Sequence, residues 1–220
     1  MVKTTIWHLI CEDAFQRGDV PQKERDQLGV LQLRHDLWQW YEAEKVRNPA
    51  RHLHRLGDLT LSMIGKQSAP CLSTKAAETK TLIFFLVSEL EKYRGQIESH
   101  KTRALITVGK SMISLFDTLD SSKRKMTARQ IQTAYDCIKK MNALWDTADI
   151  HRTPKLHLTF HMIERAQTEG NPNFYSTYLD ESLNRTLRDI ARVAHRRVWE
   201  MRMFDSFARS EQRRSVRQRQ

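Results

Sequence analysis

Along most of this chain apolar residues recur every three or four positions, and that period predicts helices. Leu28, Leu31, Leu37, Trp38 and Tyr41 place one over residues 21–46, opened by Pro21 and stopped by Asn48-Pro49. Between His52 and Gly65, Leu53, Leu56, Leu59, Leu61, Met63 and Ile64 predict a shorter helix. From Thr74 to Tyr93, Leu82, Phe85, Leu86 and Leu90 form one face while Ile83, Phe84 and Val87 cover much of the other, so this helix is expected at the centre of the core. After Gly95, Leu105, Val108, Met112, Leu115, Phe116 and Leu119 mark an amphipathic helix that ends at Asp120-Ser121-Ser122. Thr127 with Gln130 has the capping-box pattern and opens a helix with Ile131, Tyr135, Ile138, Met141 and Trp145 on one face, ended by the Arg152-Thr153-Pro154 break. Pro154 can take the first position of the next helix, which runs to about Gln167 before Gly170-Asn171-Pro172 forces a turn. Phe174 to Thr177 is expected to be extended. Thr177 with Asp180 then caps a long last helix on Leu183, Leu187, Ile190, Ala194 and Val198. Only Val2 to Ile10 has strand character, and one strand makes no sheet.

The expected fold class is therefore all-α. An irregular domain of six or seven helices covers residues 21–208, after an N-terminal segment over 1–20 and before a disordered basic tail over 209–220. Composition agrees. Seven glycines and five prolines leave little room for the turns of a sandwich, barrel or propeller, and 40% apolar residues suffice for a core. Cys11, Cys71 and Cys137 are far apart and odd in number, which supports neither a disulfide framework nor a cysteine zinc site. No apolar run approaches the roughly 18 residues of a membrane span, and the first ten residues lack a signal peptide's apolar core. A soluble, intracellular protein is expected, nuclear or cytoplasmic and without membrane contact.

Charge narrows the class of partner. The chain carries a formal +11, and the excess is uneven: residues 185–220 hold eleven arginines, no lysine and four acids, a balance of +7, while the other 184 residues carry +4. Arg185, Arg188, Arg192, Arg196, Arg197 and Arg202 are the candidate nucleic-acid contacts, continued by Arg209, Arg213, Arg214, Arg217 and Arg219. Arg188, Arg192 and Arg196 lie one turn apart and make a stripe that can follow a phosphate backbone. Trp199 and Phe204 offer stacking surfaces nearby. The competing reading is a solvated face on which Asp189 and Glu200 pair locally with arginines.

Two further groups bear chemistry. His157, His161 and Glu164 fall at i, i+4 and i+7 and share one helical face, where two imidazoles one turn apart can share a metal. In the zinc metallopeptidase helix a glutamate follows the first histidine, but here Leu158 stands in that place. A polar or packing face is the competing reading, because a third ligand is wanting and His195 could supply one only by folding back. At the start of the last helix, Asp180 fits an electrostatic cap, worth roughly 0.3–1 kcal/mol. Glu181, followed by Ser182, Leu183, Asn184 and Arg185, goes beyond capping.

The run Thr153-Pro154-Lys155-Leu156-His157-Leu158 with His161, then Gly170-Asn171-Pro172, Tyr175-Ser176-Thr177 and Glu181-x-x-Asn184, resembles the C-terminal end of eukaryotic DDE-type transposases of the CACTA and related KDZ groups. Lys75-Ala76-Ala77-Glu78 before an apolar helix is similar to their helical region. The resemblance implies an RNase H-like enzyme in which two or three carboxylates hold two Mg²⁺ ions for attack on a DNA phosphodiester. Glu181 matches the final acid, and His157 and His161 match the histidine segment before it. The first two acids of that triad sit on strands, and no such sheet is predicted here; Thr5 rather than Asp stands three residues before His8. One carboxylate does not clamp two ions. The resemblance therefore implies a fragment-like, transposase-derived helical module that binds DNA without autonomous cleavage and needs no cofactor, Mg²⁺ entering only for an active DDE nuclease. An α-helical interaction or scaffold protein with a basic localisation tail is the alternative.

Overall fold

Five of the predicted helices form, four of them close to where their start and stop signals place them, while the helix opened by Thr127 stops at Leu144, short of the break at Arg152-Thr153-Pro154. The computed structural model describes residues 1–12, 14–15, 20–152 and 154–174. Within them α1 is Val2–Cys11, α2 Gln22–Arg47, α3 Leu61–Ile64, α4 Ala76–Lys92, α5 His100–Ser121, α6 Ala128–Leu144 and α7 Pro154–Arg165. The described part is thus mostly helical. Local side-chain caps account for the starts of α5 and α6. Thr127 Oγ1 accepts the Gln130 N–H at 3.3 Å while Gln130 Oε1 accepts the Thr127 N–H at 2.9 Å, the reciprocal cap expected at α6. Ser99 Oγ accepts the Thr102 N–H at 3.0 Å to open α5.

Met1–Pro172 form one compact unit. α4 lies at its centre, buried through Thr81, Leu82, Ile83, Phe85, Leu86, Val87, Glu89 and Leu90. α1 and α5 pack against α4, α2 against α1, α6 along α5, and α7 on α6. Gly109 lets α4 and α5 approach: a Cβ there would lie 2.3 Å from Val87 Cγ2 and 2.5 Å from Met1 Cε. Cys71 and Cys137 are free thiols. No helix among the described residues is long and apolar enough to cross a membrane.

Val2–Cys11 is a helix, in place of the expected strand character. Val2, Thr5, Ile6, Trp7, His8, Leu9 and Ile10 are all buried, and a buried segment with no neighbouring strand can satisfy its backbone groups only internally. Helical hydrogen bonds do this, and packing overrides the modest β preference of Val, Thr and Ile. Trp7 Nε1 donates to the carbonyl of Ile64 at 3.2 Å and Lys3 Nζ to that of Pro70 at 3.1 Å.

The helix expected between His52 and Gly65 shrinks to Leu61–Ile64. Its apolar residues are still used, since Leu56 and Leu59 are buried. Backbone donors of the segment, however, are taken from outside: the His54 N–H donates to Thr81 Oγ1 at 3.1 Å and the Leu56 N–H to Tyr41 Oη at 3.0 Å. A short antiparallel pair, β1 (Gly65–Lys66) with β2 (Ala69–Pro70), follows in the register Gly65↔Pro70 and Lys66↔Ala69. Phe174, expected to be extended, closes a 3-10 turn over Pro172–Phe174.

Candidate functional site

The packing face of α7 carries Ile163, continued just past the helix by Ala166, both buried, with Phe160 meeting Tyr135 of α6 edge to face at 6.1 Å. The opposite face carries His157, His161 and Glu164, all three exposed. The structure brings them together, in an order the spacing does not give. His161 is central: its Nε2 lies 2.9 Å from His157 Nε2 and its Nδ1 lies 2.9 Å from Glu164 Oε2. The two rings stand edge to face with centroids 4.5 Å apart. Glu164 thus holds the far side of the His161 ring and does not join as a third donor. Among the described residues no group of three His, Cys, Asp or Glu side chains converges to hold an ion.

Glu181, Arg185, Arg188, Arg192, Arg196, Arg197 and Arg202 lie outside the described residues, as does the final helix expected to carry them.

A second basic surface, not singled out from the sequence, lies between α5 and α6. Lys123, Arg124, Lys125 and Arg129 are exposed, and Lys139 and Lys140 follow on the exposed face of α6. Residues 123–140 hold these six basic side chains and one acid, Asp136, which accepts from Gln132 Nε2 at 2.9 Å. Among the described residues none of the six has an ion-pair partner. Many described cations elsewhere are neutralised, among them Arg34 by Asp58 at 3.1 Å, Arg55 by Glu42 at 2.6 Å, Lys80 by Asp120 at 2.7 Å and Lys101 by Asp149 at 2.7 Å. The signal available was the run Lys123-Arg124-Lys125 between the Ser121-Ser122 stop and the Thr127 cap.

The loop that presents these cations is tied down from behind. Asn171 is buried, and its Nδ2 donates to the carbonyls of Leu119 at 2.8 Å and Ser122 at 3.0 Å, which caps the end of α5. Its backbone N–H donates to the carbonyl of Arg124 at 2.8 Å. Gly170 makes this approach feasible: its φ is 90°, and a Cβ would sit 2.3 Å from the Arg124 oxygen.

Buried charge is concentrated between α2 and α4. Asp36 Oδ2 lies 3.2 Å from Lys92 Nζ and accepts from Tyr93 Oη at 3.1 Å, while Oδ1 accepts from Gln32 Nε2 at 3.0 Å. Lys92 also meets Glu89 at 3.4 Å. Burial pushes Glu89 up to about 7, with Asp36 adding to the rise and Lys92 opposing it. Burial works against the Lys92 ammonium, but Tyr93, Glu89 and Asp36 outweigh it and hold it above the usual lysine range. An open cleft of about 250 Å³ lined by Ala14, Phe15, Gln32, Tyr93 and Gln96 lies beside this cluster. Both oxygens of Asp36 are engaged by protein donors, so the cluster joins two helices and leaves Asp36 no oxygen facing the cleft without a partner.

No family model, curated protein or solved structure matches the chain.

Proposed function

We propose that the chain binds DNA through its basic surfaces, as a transposase-derived helical module that does not itself cut the strand. The observation that carries this reading is the preformed cationic loop Lys123-Arg124-Lys125 with Arg129, which has no ion-pair partner among the described residues, where many other cations are matched by acids. Cations left unpaired are those able to replace the counterions of a phosphate backbone, and that release drives association. Holding the loop through Asn171 lowers the ordering cost on binding. The arginines at 188, 192 and 196 extend the same chemistry in the sequence. Lack of cleavage follows from the resemblance, which supplies one acid, Glu181, where two-metal chemistry needs a set.

The test is binding of the full chain to a short labelled duplex over a range of salt concentrations. Replacing Lys123, Arg124 and Lys125 with Gln is expected to flatten the log–log salt slope by about 0.9 for each phosphate no longer neutralised, so by roughly 2.7 if all three cations touch the backbone. Replacing Arg188, Arg192 and Arg196 with Gln is expected to act in the same way. Parental affinity and slope in both variants would defeat the reading.

The scaffold alternative has one observation of its own. Leu28, Leu31 and Trp38 lie along α2 with 44%, 48% and 47% of their surface exposed, an apolar strip suited to a partner helix. Salt-independent DNA binding, or none, would favour it.

A further inference from the structure

We infer that His157 and His161 form a two-nitrogen site for a divalent transition ion of the zinc type, with Glu164 as the residue that positions His161. The first ground is the separation of the donors. Two imidazole nitrogens each about 2.0–2.1 Å from one zinc ion, at angles between a right angle and the tetrahedral value, lie roughly 2.9–3.4 Å apart. The His157 and His161 Nε2 atoms are 2.9 Å apart, at the short end of that range, so turning the rings to aim both lone pairs at one point brings an ion within reach of both nitrogens. One helical turn sets this spacing, and α7 is fixed on α6 by its opposite face.

The second ground is the proton arrangement. A carboxylate only accepts, so the His161 nitrogen facing Glu164 at 2.9 Å carries the hydrogen, and its Nε2 presents a lone pair. A carboxylate behind a ligating imidazole fixes the tautomer and orientation that a metal requires. In the metal-free chain His157 Nε2–H donates to that lone pair. On binding, the ion takes the place of this hydrogen, and His157 shifts to its Nδ1–H tautomer with no change in its charge.

The donor set also selects the ion. Imidazole suits zinc, copper and nickel, whereas Mg²⁺ and Ca²⁺ want oxygen. The ion inferred here therefore differs in kind from the Mg²⁺ pair of DDE chemistry, and the inference does not depend on the DNA-binding reading. With both rings exposed, water fills the remaining positions and the site stays open to an outside donor.

The experiment is calorimetric titration of the full chain with zinc chloride at neutral pH, with melting temperature followed in parallel. One ion per chain is expected, with a rise in melting temperature. Both effects should vanish in His157→Ala and in His161→Ala, and Glu164→Gln should weaken binding about tenfold. All three side chains are exposed, so the metal-free melting temperatures should match the parent and show that folding is intact. His52→Ala serves as the control: the His52 and His54 rings also meet edge to face, at 4.7 Å, but the described structure has no hydrogen bond between their nitrogens and no carboxylate on either ring. Titration with no zinc bound, or an isotherm that survives both His157→Ala and His161→Ala, overturns the site. Unchanged affinity in Glu164→Gln overturns the positioning role.

Discussion

The backbone N–H of Asn171 donates to the carbonyl of Arg124 across 2.8 Å, and this contact makes the shape of the cationic loop depend on a residue 47 positions away in sequence. The side chain of Asn171 in turn satisfies the Leu119 and Ser122 carbonyls at the end of α5. Asn171→Ala removes two buried donors and is expected to cost about 1–3 kcal/mol in urea denaturation. DNA affinity is expected to fall in the same variant although its charge is unchanged. Full stability would show that water replaces the amide.

Glu89 gives the fold a pH dependence of defined sign. Its folded pKa, about 7, lies above its ordinary 4.5, so the folded state favours the protonated carboxyl. The associated stability is fully present below about pH 4.5 and is lost as pH rises through about 7. Between these limits the parent is expected to lose on the order of 1–3 kcal/mol that Glu89→Gln retains. Urea midpoints at several pH values check this; parallel curves for parent and variant would refute it.

His8 titrates in the opposite sense. It is buried against α5, with Nε2 2.8 Å from Thr102 Oγ1, whose own hydrogen goes to the carbonyl of Ile97. Burial lowers its pKa below the ordinary 6.5; Glu12 opposes this and Lys101 adds to it. The neutral ring is the folded form, so its contribution is present above pH 6.5 and is lost as pH falls through the folded value. In an NMR titration the His8 ring is expected to protonate below the ordinary 6.5. His8→Gln should lessen the loss of stability in mild acid.

Gly109→Ala tests the approach of α4 to α5. An alanine gains up to about 1 kcal/mol of helix propensity in isolation. Here its Cβ would meet Val87 Cγ2 at 2.3 Å, so thermal unfolding is expected to show a net loss of about 1–3 kcal/mol. Val87→Ala in the same chain should recover part of it. A stabilised Gly109→Ala protein would mean that the helices stand further apart.

The helices legible in the sequence are those whose cause is local. The Thr127–Gln130 cap and the apolar faces of α2, α4 and α5 depend on neighbours within a turn or two. The misread segments depend on distant groups. Leu56 and Leu59 mark burial correctly, but the N–H groups around them are claimed by Tyr41 and Thr81, which no local pattern shows. Val2–Ile10 reads as a strand until α4 is there to bury it. At the site, the spacing of His157 and His161 is legible, while Glu164 reads as a ligand because i+7 from the first histidine hides its place at i+3 from the second. The run of cations at 123–125 is visible, but its want of partners is not, because that depends on where Asp58, Glu42, Asp120 and Asp149 end up.

The long ties of α1 bear on the order of assembly. Lys3 to Pro70, Trp7 to Ile64 and His8 to Thr102 span 67, 57 and 94 residues, whereas α5, α6 and α7 meet through short links. Closing large loops is slow relative to pairing adjacent helices. The α5–α6–α7 run is thus the expected early scaffold and α1 the late arrival, so the burial of the Trp7 indole times the completion of the native state and not its beginning.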